Sequence, residues 1–79
     1  MKKHFNELFE FDENLKMYKN MTPLTVRIDG RQMEIINIKF PPTATFPPTD
    51  IPVALVKDKN LIVEYENNEI IVIGIEGII

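Results

Sequence analysis

The stretch "LTVRIDGRQMEIINIKF", Leu24 to Phe40, decides the fold class. Leu24, Val26 and Ile28 alternate with Thr25, Arg27 and Asp29. Successive side chains of a strand point to opposite faces, so this alternation predicts a half-buried strand. Asp29-Gly30 supplies the pair of positive-φ positions that a two-residue hairpin turn needs. The return strand, residues 31–40, carries Met33 and Ile35 and then Ile36, Ile38 and Phe40, so its apolar phase slips by one at Ile35-Ile36. A β-bulge with one extra residue keeps both sets on the core face. A strand covered on both sides is the other account, and the bulge is the simpler one.

The same period recurs near the end of the chain. Val53-Ala54-Leu55-Val56 is followed by a turn at residues 57–60, and Leu61, Val63 and Tyr65 then alternate with Ile62, Glu64 and Glu66. Asn67-Asn68 is a second hairpin turn, because Asn tolerates the left-handed region. The last strand, residues 69–75, places Ile71, Ile73 and Ile75 on one face and Ile70 and Val72 on the other. A strand apolar on both faces is either central or at an interface. The apolar end Gly77-Ile78-Ile79 predicts a packed or covered edge.

The first twenty residues admit two readings. Phe5, Leu8 and Phe9 fit one helical face and favour a helix over residues 3–11. The rival takes Phe9-Glu10-Phe11 and Leu15-Lys16-Met17 as short strands around Asp12-Glu13-Asn14. The expected architecture is mainly β within an α+β frame: a short N-terminal helix and a small five-stranded antiparallel barrel or sandwich. It forms one domain over residues 1–79, with a helical segment at 1–21 and a barrel-like part at 22–79. A long proline-rich loop, residues 40–52, lies between the second and third strands.

Composition narrows the function. Seventy-nine residues give a small core that is often marginal alone. Cysteine is absent and the one histidine is His4, which excludes disulfides and Cys/His zinc sites as supplements. Oligomerisation or docking is the remaining supplement. Nine basic residues against twelve acidic ones, scattered along the chain, disfavour sequence-independent nucleic-acid binding. Neither a membrane-length apolar run nor a signal-peptide core is visible, which predicts a soluble, intracellular protein.

The search for chemistry finds no catalytic constellation. Serine and cysteine are absent, and Thr25, Thr43, Thr45 and Thr49 have no histidine partner in view. The acidic clusters Glu10/Asp12/Glu13 and Glu64/Glu66/Glu69 read as solvated faces beside turns rather than as cation sites. No phosphate-cradling glycine loop is present. The expectation is a non-enzyme with no catalytic, cofactor-binding or metal-binding residues.

The remaining feature is "FPPTATFPPT", residues 40–49, in which Phe-Pro-Pro-Thr occurs twice. Its prolines lack the spacing that SH3, WW or EVH1 readers need, and they stiffen rather than loosen a chain. In polyproline II geometry Phe40 and Phe46 project from one edge, on the order of 19 Å apart. Such an arm either contacts a partner or drapes over its own barrel. The first reading makes Phe40, Pro41, Pro42, Thr43, Thr45, Phe46, Pro47, Pro48, Thr49 and Asp50 candidate interface residues. It also expects deletion of residues 41–50 to leave the fold intact.

The layout resembles the head–tail joining, or stopper, proteins of lambda-type tailed bacteriophages. The residues that carry the resemblance are "FNELFE" (Phe5 to Glu10) as the short opening helix, "LTVRIDGRQMEIINIKFPP" as the first hairpin, "ATFPPTDIP" as the next strand entry, and "LIVEYENNEIIVIGIEG" as the closing hairpin. The chain is shorter than typical members, and its turns at Asp58-Lys59-Asn60 and Asn67-Asn68 lack the glycine common there. The resemblance implies a homo-oligomeric ring in the virion neck between portal and tail, made in the host cytoplasm. It would touch portal or adaptor and tail proteins and lie near packaged DNA without reading its sequence. It also implies that the proline loop faces the channel, and that Ile73, Ile75, Ile78 and Ile79 are covered by neighbouring subunits. An Sm-like RNA-binding ring shares the helix-plus-five-strand outline, but the basic and aromatic binding residues are missing. A small inhibitor from a mobile element is the third reading.

Overall fold

Both hairpin turns form as their residues dictate. Asp29 and Gly30 have φ of 53° and 76°, and Asn67 and Asn68 have φ of 54° and 66°. Two consecutive left-handed residues give the turn whose twist matches that of the flanking strands. The computed structural model describes residues 1–78. The elements in chain order are β1 (Lys2–His4), α1 (Phe5–Leu8), β2 (Phe9–Asp12), β3 (Met17–Asn20), β4 (Leu24–Ile28), β5 (Arg31–Ile35), β6 (Lys39–Phe40), β7 (Thr45–Phe46), β8 (Ile51–Pro52), α2 (Val53–Val56), β9 (Asn60–Glu66) and β10 (Glu69–Ile75). The chain is thus mostly β. It forms a five-stranded sheet in the order β1-β9-β10-β4-β5, a three-stranded sheet β2-β3-β6 and a two-stranded ribbon β7-β8, and no barrel closes.

Four expectations are corrected. The helix over residues 3–11 shrinks to the single turn α1, because β1 and β2 claim the residues on either side. The rival strand reading is nearer, with β2 and β3 pairing from Phe9/Asn20 to Asp12/Met17. Asp12 organises that turn: its Oδ1 accepts from the Asn14 and Leu15 amides at 2.9 and 3.1 Å. Val53-Ala54-Leu55-Val56 is the helical turn α2 rather than a strand. The five-stranded sheet is not wholly antiparallel, since β10 runs parallel to β4, with Ile70, Ile71 and Val72 beside Leu24, Thr25 and Val26.

The fourth correction concerns the phase slip. Residues 31–40 are two strands in two sheets. β5 ends at Ile35, Asn37 takes φ of 54°, and β6 pairs with β3. Asn20 fastens this crossing: its Nδ2 donates to Thr22 and Ile35 carbonyls at 3.1 and 3.4 Å, and its Oδ1 accepts from the Ile38 amide at 3.2 Å. Ile35 and Phe40 therefore both reach the core, while Ile36 stays exposed. The actual bulge lies in β10. Val72 pairs with Val63 but Gly74 pairs with Ile62, which leaves Ile73 as the extra residue. The bulge moves Ile75 to the core face with Val72, away from Ile71.

One core runs from Phe5 to Ile75. The five-stranded sheet supplies its aliphatic half, from Leu24, Val26, Ile28, Ile35, Leu61, Val63, Val72 and Ile75. The opposing elements supply an aromatic half. Phe5 stacks on Phe9 with ring centres 4.6 Å apart, and Tyr18 stacks on Phe40 at 5.8 Å. No buried polar side chain among the described residues lacks a hydrogen bond. Such a core specifies its packing through shape alone.

Candidate functional site

The doubled tetrapeptide folds against its own core. Phe46 is fully buried and Phe40 is 8% exposed. Both rings lie edge-on to Phe9, with centroids 5.6 Å away for Phe40 and 6.0 Å for Phe46. They are therefore packing anchors, and the extended arm with two outward phenylalanines does not form. The turns between them have local causes. The Ala44 amide donates to the Pro41 carbonyl at 3.0 Å, and both the amide and hydroxyl of Thr49 donate to the Phe46 carbonyl at 3.1 and 3.0 Å. Thr45 then pairs with Pro52 and Phe46 with Ile51, and the Val53 amide closes back on Ala44 at 3.0 Å.

Only part of the segment faces solvent. Pro41, Pro42, Thr43 and Thr45 are exposed, whereas Pro47, Pro48 and Thr49 are half-buried, with a cis peptide between the two prolines. Asp50 is exposed at φ of 60° and meets the Arg31 guanidinium at 3.4 Å, which ties the ribbon to the β4–β5 turn. Phe46 lies within residues 41–50 and belongs to the core, so the segment follows the second of the two readings and covers the chain's own core. The other expected interface residues separate as well. Ile75 is fully buried in the chain's own core, Ile73 is half-buried at the bulge, and Ile78 is 41% exposed. Ile79 lies outside the described residues.

Sequence reasoning missed the two ends of the five-stranded sheet. Among the described residues β5 pairs with β4 alone, and β1 pairs with β9 alone. In a two-residue hairpin the residues flanking the turn exchange backbone bonds, and bonded pairs alternate from there. The bonded pairs are therefore Ile28/Arg31, Val26/Met33 and Leu24/Ile35, which leaves the amides and carbonyls of Gln32 and Glu34 facing outward. The Gln32 and Glu34 side chains lie on the outer face of the sheet, opposite Arg27 and Thr25. Met33, on the core face, overhangs the core and is 39% exposed. Alternation alone could not show this, because it says nothing about which strand ends a sheet.

At the opposite end, Val63 donates to the Met1 carbonyl at 2.8 Å and Phe5 to the Lys59 carbonyl at 3.0 Å. Lys3 is then the residue bonded to Leu61, and Lys2 and His4 point their backbone groups outward. The His4 amide is already taken by Glu7 Oε2 at 2.7 Å, while His4 Nδ1 accepts from Asn6 at 3.1 Å. This reciprocal cap is what turns the chain from β1 into α1.

Surface chemistry is sparse. A 140 Å³ depression lined by Pro23, Leu24, Thr25, Glu34, Ile36 and Glu69 adjoins the β5 edge. A wider, open one lies among Asp58, Lys59, Asn60, Glu76 and Gly77. Neither contains a nucleophile with a base. Among the described residues no group of three or more His, Asp or Glu side chains is placed to hold an ion, and no helix is long and apolar enough to cross a membrane. Hydrogen bonds from the Leu15 and Asn14 amides, with Lys19 and Lys39 nearby, hold the Asp12 carboxyl below the usual carboxylate range. Asn60 and Lys2 do the same for Glu76. These carboxylates serve turns and ion pairs. Comparison with protein families, curated proteins and solved structures finds no match to this chain.

Proposed function

We propose that this chain is a non-catalytic assembly subunit, and specifically a ring component of a tailed-phage neck that sits between portal and tail. One observation carries the assembly reading: the five-stranded sheet ends in two unlike strands, β1 and β5, each with outward backbone groups. Two unlike open ends permit head-to-tail association, which generates rings when the rotation closes and open filaments when it does not. The neck assignment rests on the sequence resemblance of Phe5 to Glu10, as a short opening helix, and of the two hairpins to the stopper proteins. The exposed tip Pro41-Pro42-Thr43, braced from behind by Phe40 and Phe46, is the part of the proline segment available to a channel or neighbour.

The assignment is tested by deleting the gene from a phage genome that carries it and examining the particles. Filled heads that leak DNA and lack tails are expected. Normal tailed particles would overturn the neck reading. In the same system Thr43→Asp should leave the protein folded and impair tail joining, because the tip carries no core contact.

A further inference from the structure

Glu34 is exposed and forms no ion pair among the described residues, at the edge where β5 presents its open backbone. The opposite edge of the same sheet is basic, with Lys2 and Lys3 in a strand of three residues. We infer that these two edges recognise each other: β5 of one copy docks on β1 of the next, in a single register that sets Lys2 against Glu34, Lys3 against Met33 and His4 against Gln32. This deepens the assembly reading above and rests on it.

Topology supplies the orientation. β1 is antiparallel to β9, β9 is antiparallel to β10, β10 is parallel to β4, and β4 is antiparallel to β5. β1 and β5 therefore run in opposite directions. A second copy placed beside β5 in the same orientation as the first presents its β1 antiparallel.

Pleating supplies the register. Glu34, Thr25, Ile71 and Glu64 share the outer face through successive pairings, and Ile62 and Lys2 share it through the next ones. Lys2 and Glu34 can then face one another directly, with Lys3 and Met33 together on the core side. The backbone agrees, since Lys2 and Glu34 both point their amides and carbonyls outward and can exchange two bonds. No further bond forms at His4: its carbonyl, at the N-cap of α1, accepts the first intrahelical bond, and Glu7 holds its amide. Lys3 and Met33 form the close, non-bonded pair between these positions.

Charge decides against the two-fold alternative. Pairing β5 with β5 about a dyad, Gln32 opposite Glu34, brings two Glu34 carboxylates to one face, with the nearest cation, Arg27, one strand further in and already engaged by Glu66 at 3.6 Å. Head-to-tail pairing brings each Glu34 beside Lys2, whose ammonium already meets Glu76 Oε1 at 3.3 Å and bridges the two carboxylates in the docked register.

The chain has no cysteine, which allows a test with no background. Non-hydrogen-bonded strand pairs bring Cα atoms to about 4.5 Å, within disulfide range. The double variant Lys3→Cys/Met33→Cys, oxidised mildly at high concentration, should give a ladder of covalent multimers on a non-reducing gel. Each single variant should stay largely monomeric. Both positions lie at a sheet edge, and an unchanged circular dichroism spectrum verifies the fold. A covalent dimer from Met33→Cys alone would overturn the inference in favour of the dyad. The absence of a ladder in the folded double variant would overturn edge pairing altogether. A ladder combined with normal tailed particles in the gene deletion would leave the pairing standing and remove the neck assignment.

Discussion

The two ends of the five-stranded sheet are built differently. β1 spans three residues, is basic, and runs at once into a capped turn that uses one of its own outward amides. β5 spans five residues, keeps the outward amides of Gln32 and Glu34 open, and overhangs the core at Met33, with Ile36 54% exposed just beyond it. Short, lysine-bearing edges are the usual protection against indiscriminate pairing. β5 has no such protection. Only its Arg31 is basic, and that guanidinium is engaged with Asp50. One end limits pairing while the other invites it, so that extension of the sheet is directional and sparing.

The largest effects should come from testing which amides of β5 face inward. Met33→Pro removes a bond to β4 and should cost about 3 kcal/mol or more, whereas Glu34→Pro removes only an outward donor and should cost under about 1 kcal/mol. Urea denaturation measures both, and similar losses would break the assignment of the open edge. Asn20→Ala comes next. It frees the crossing from β5 to β6 and leaves backbone groups at Ile35 and Ile38 without their side-chain partner, at about 1–3 kcal/mol. Hydrogen exchange should accelerate at Ile38 in this variant while Leu61 stays protected.

Glu7→Ala sharpens the other side of the comparison. Loss of the cap should cost about 1 kcal/mol by thermal unfolding. It also frees the His4 amide, so association of the variant should strengthen rather than weaken. The smallest effect belongs to Asp12, remote from both edges. Its carboxyl titrates below the unfolded value, so its contribution is fully present above that value and is lost as pH falls through the depressed folded one. In proton titrations followed by NMR, Asp12→Asn should remove part of the acid-induced fraying of the β2–β3 turn below about pH 4 without altering association.

Much of the β framework was legible because period-two alternation and left-handed turn pairs are local signals. Asp29-Gly30 and Asn67-Asn68 form as read, and β9 and β10 follow their alternation until the bulge. What failed was whatever depends on distant partners. Residues 31–40 carry the phase slip of a bulge, yet the slip marks a change of sheet, set by Asn20 seventeen positions before Asn37. Phe5, Leu8 and Phe9 fit a helical stripe, but one helical turn between two strands buries the same three residues. The apolar pattern of Phe40 and Phe46 could not reveal that Phe9 receives both rings. The edges, where the candidate site lies, were illegible because strand order is a property of the assembled sheet.

Sedimentation velocity of the purified chain over a wide concentration range, at low and high salt, tests directional edge pairing most directly. The expected mass grows with concentration past the dimer and shrinks with added salt, because the Lys2–Glu34 pair is exposed and screened. A monomer at every concentration, or a dimer that grows no further, would contradict it.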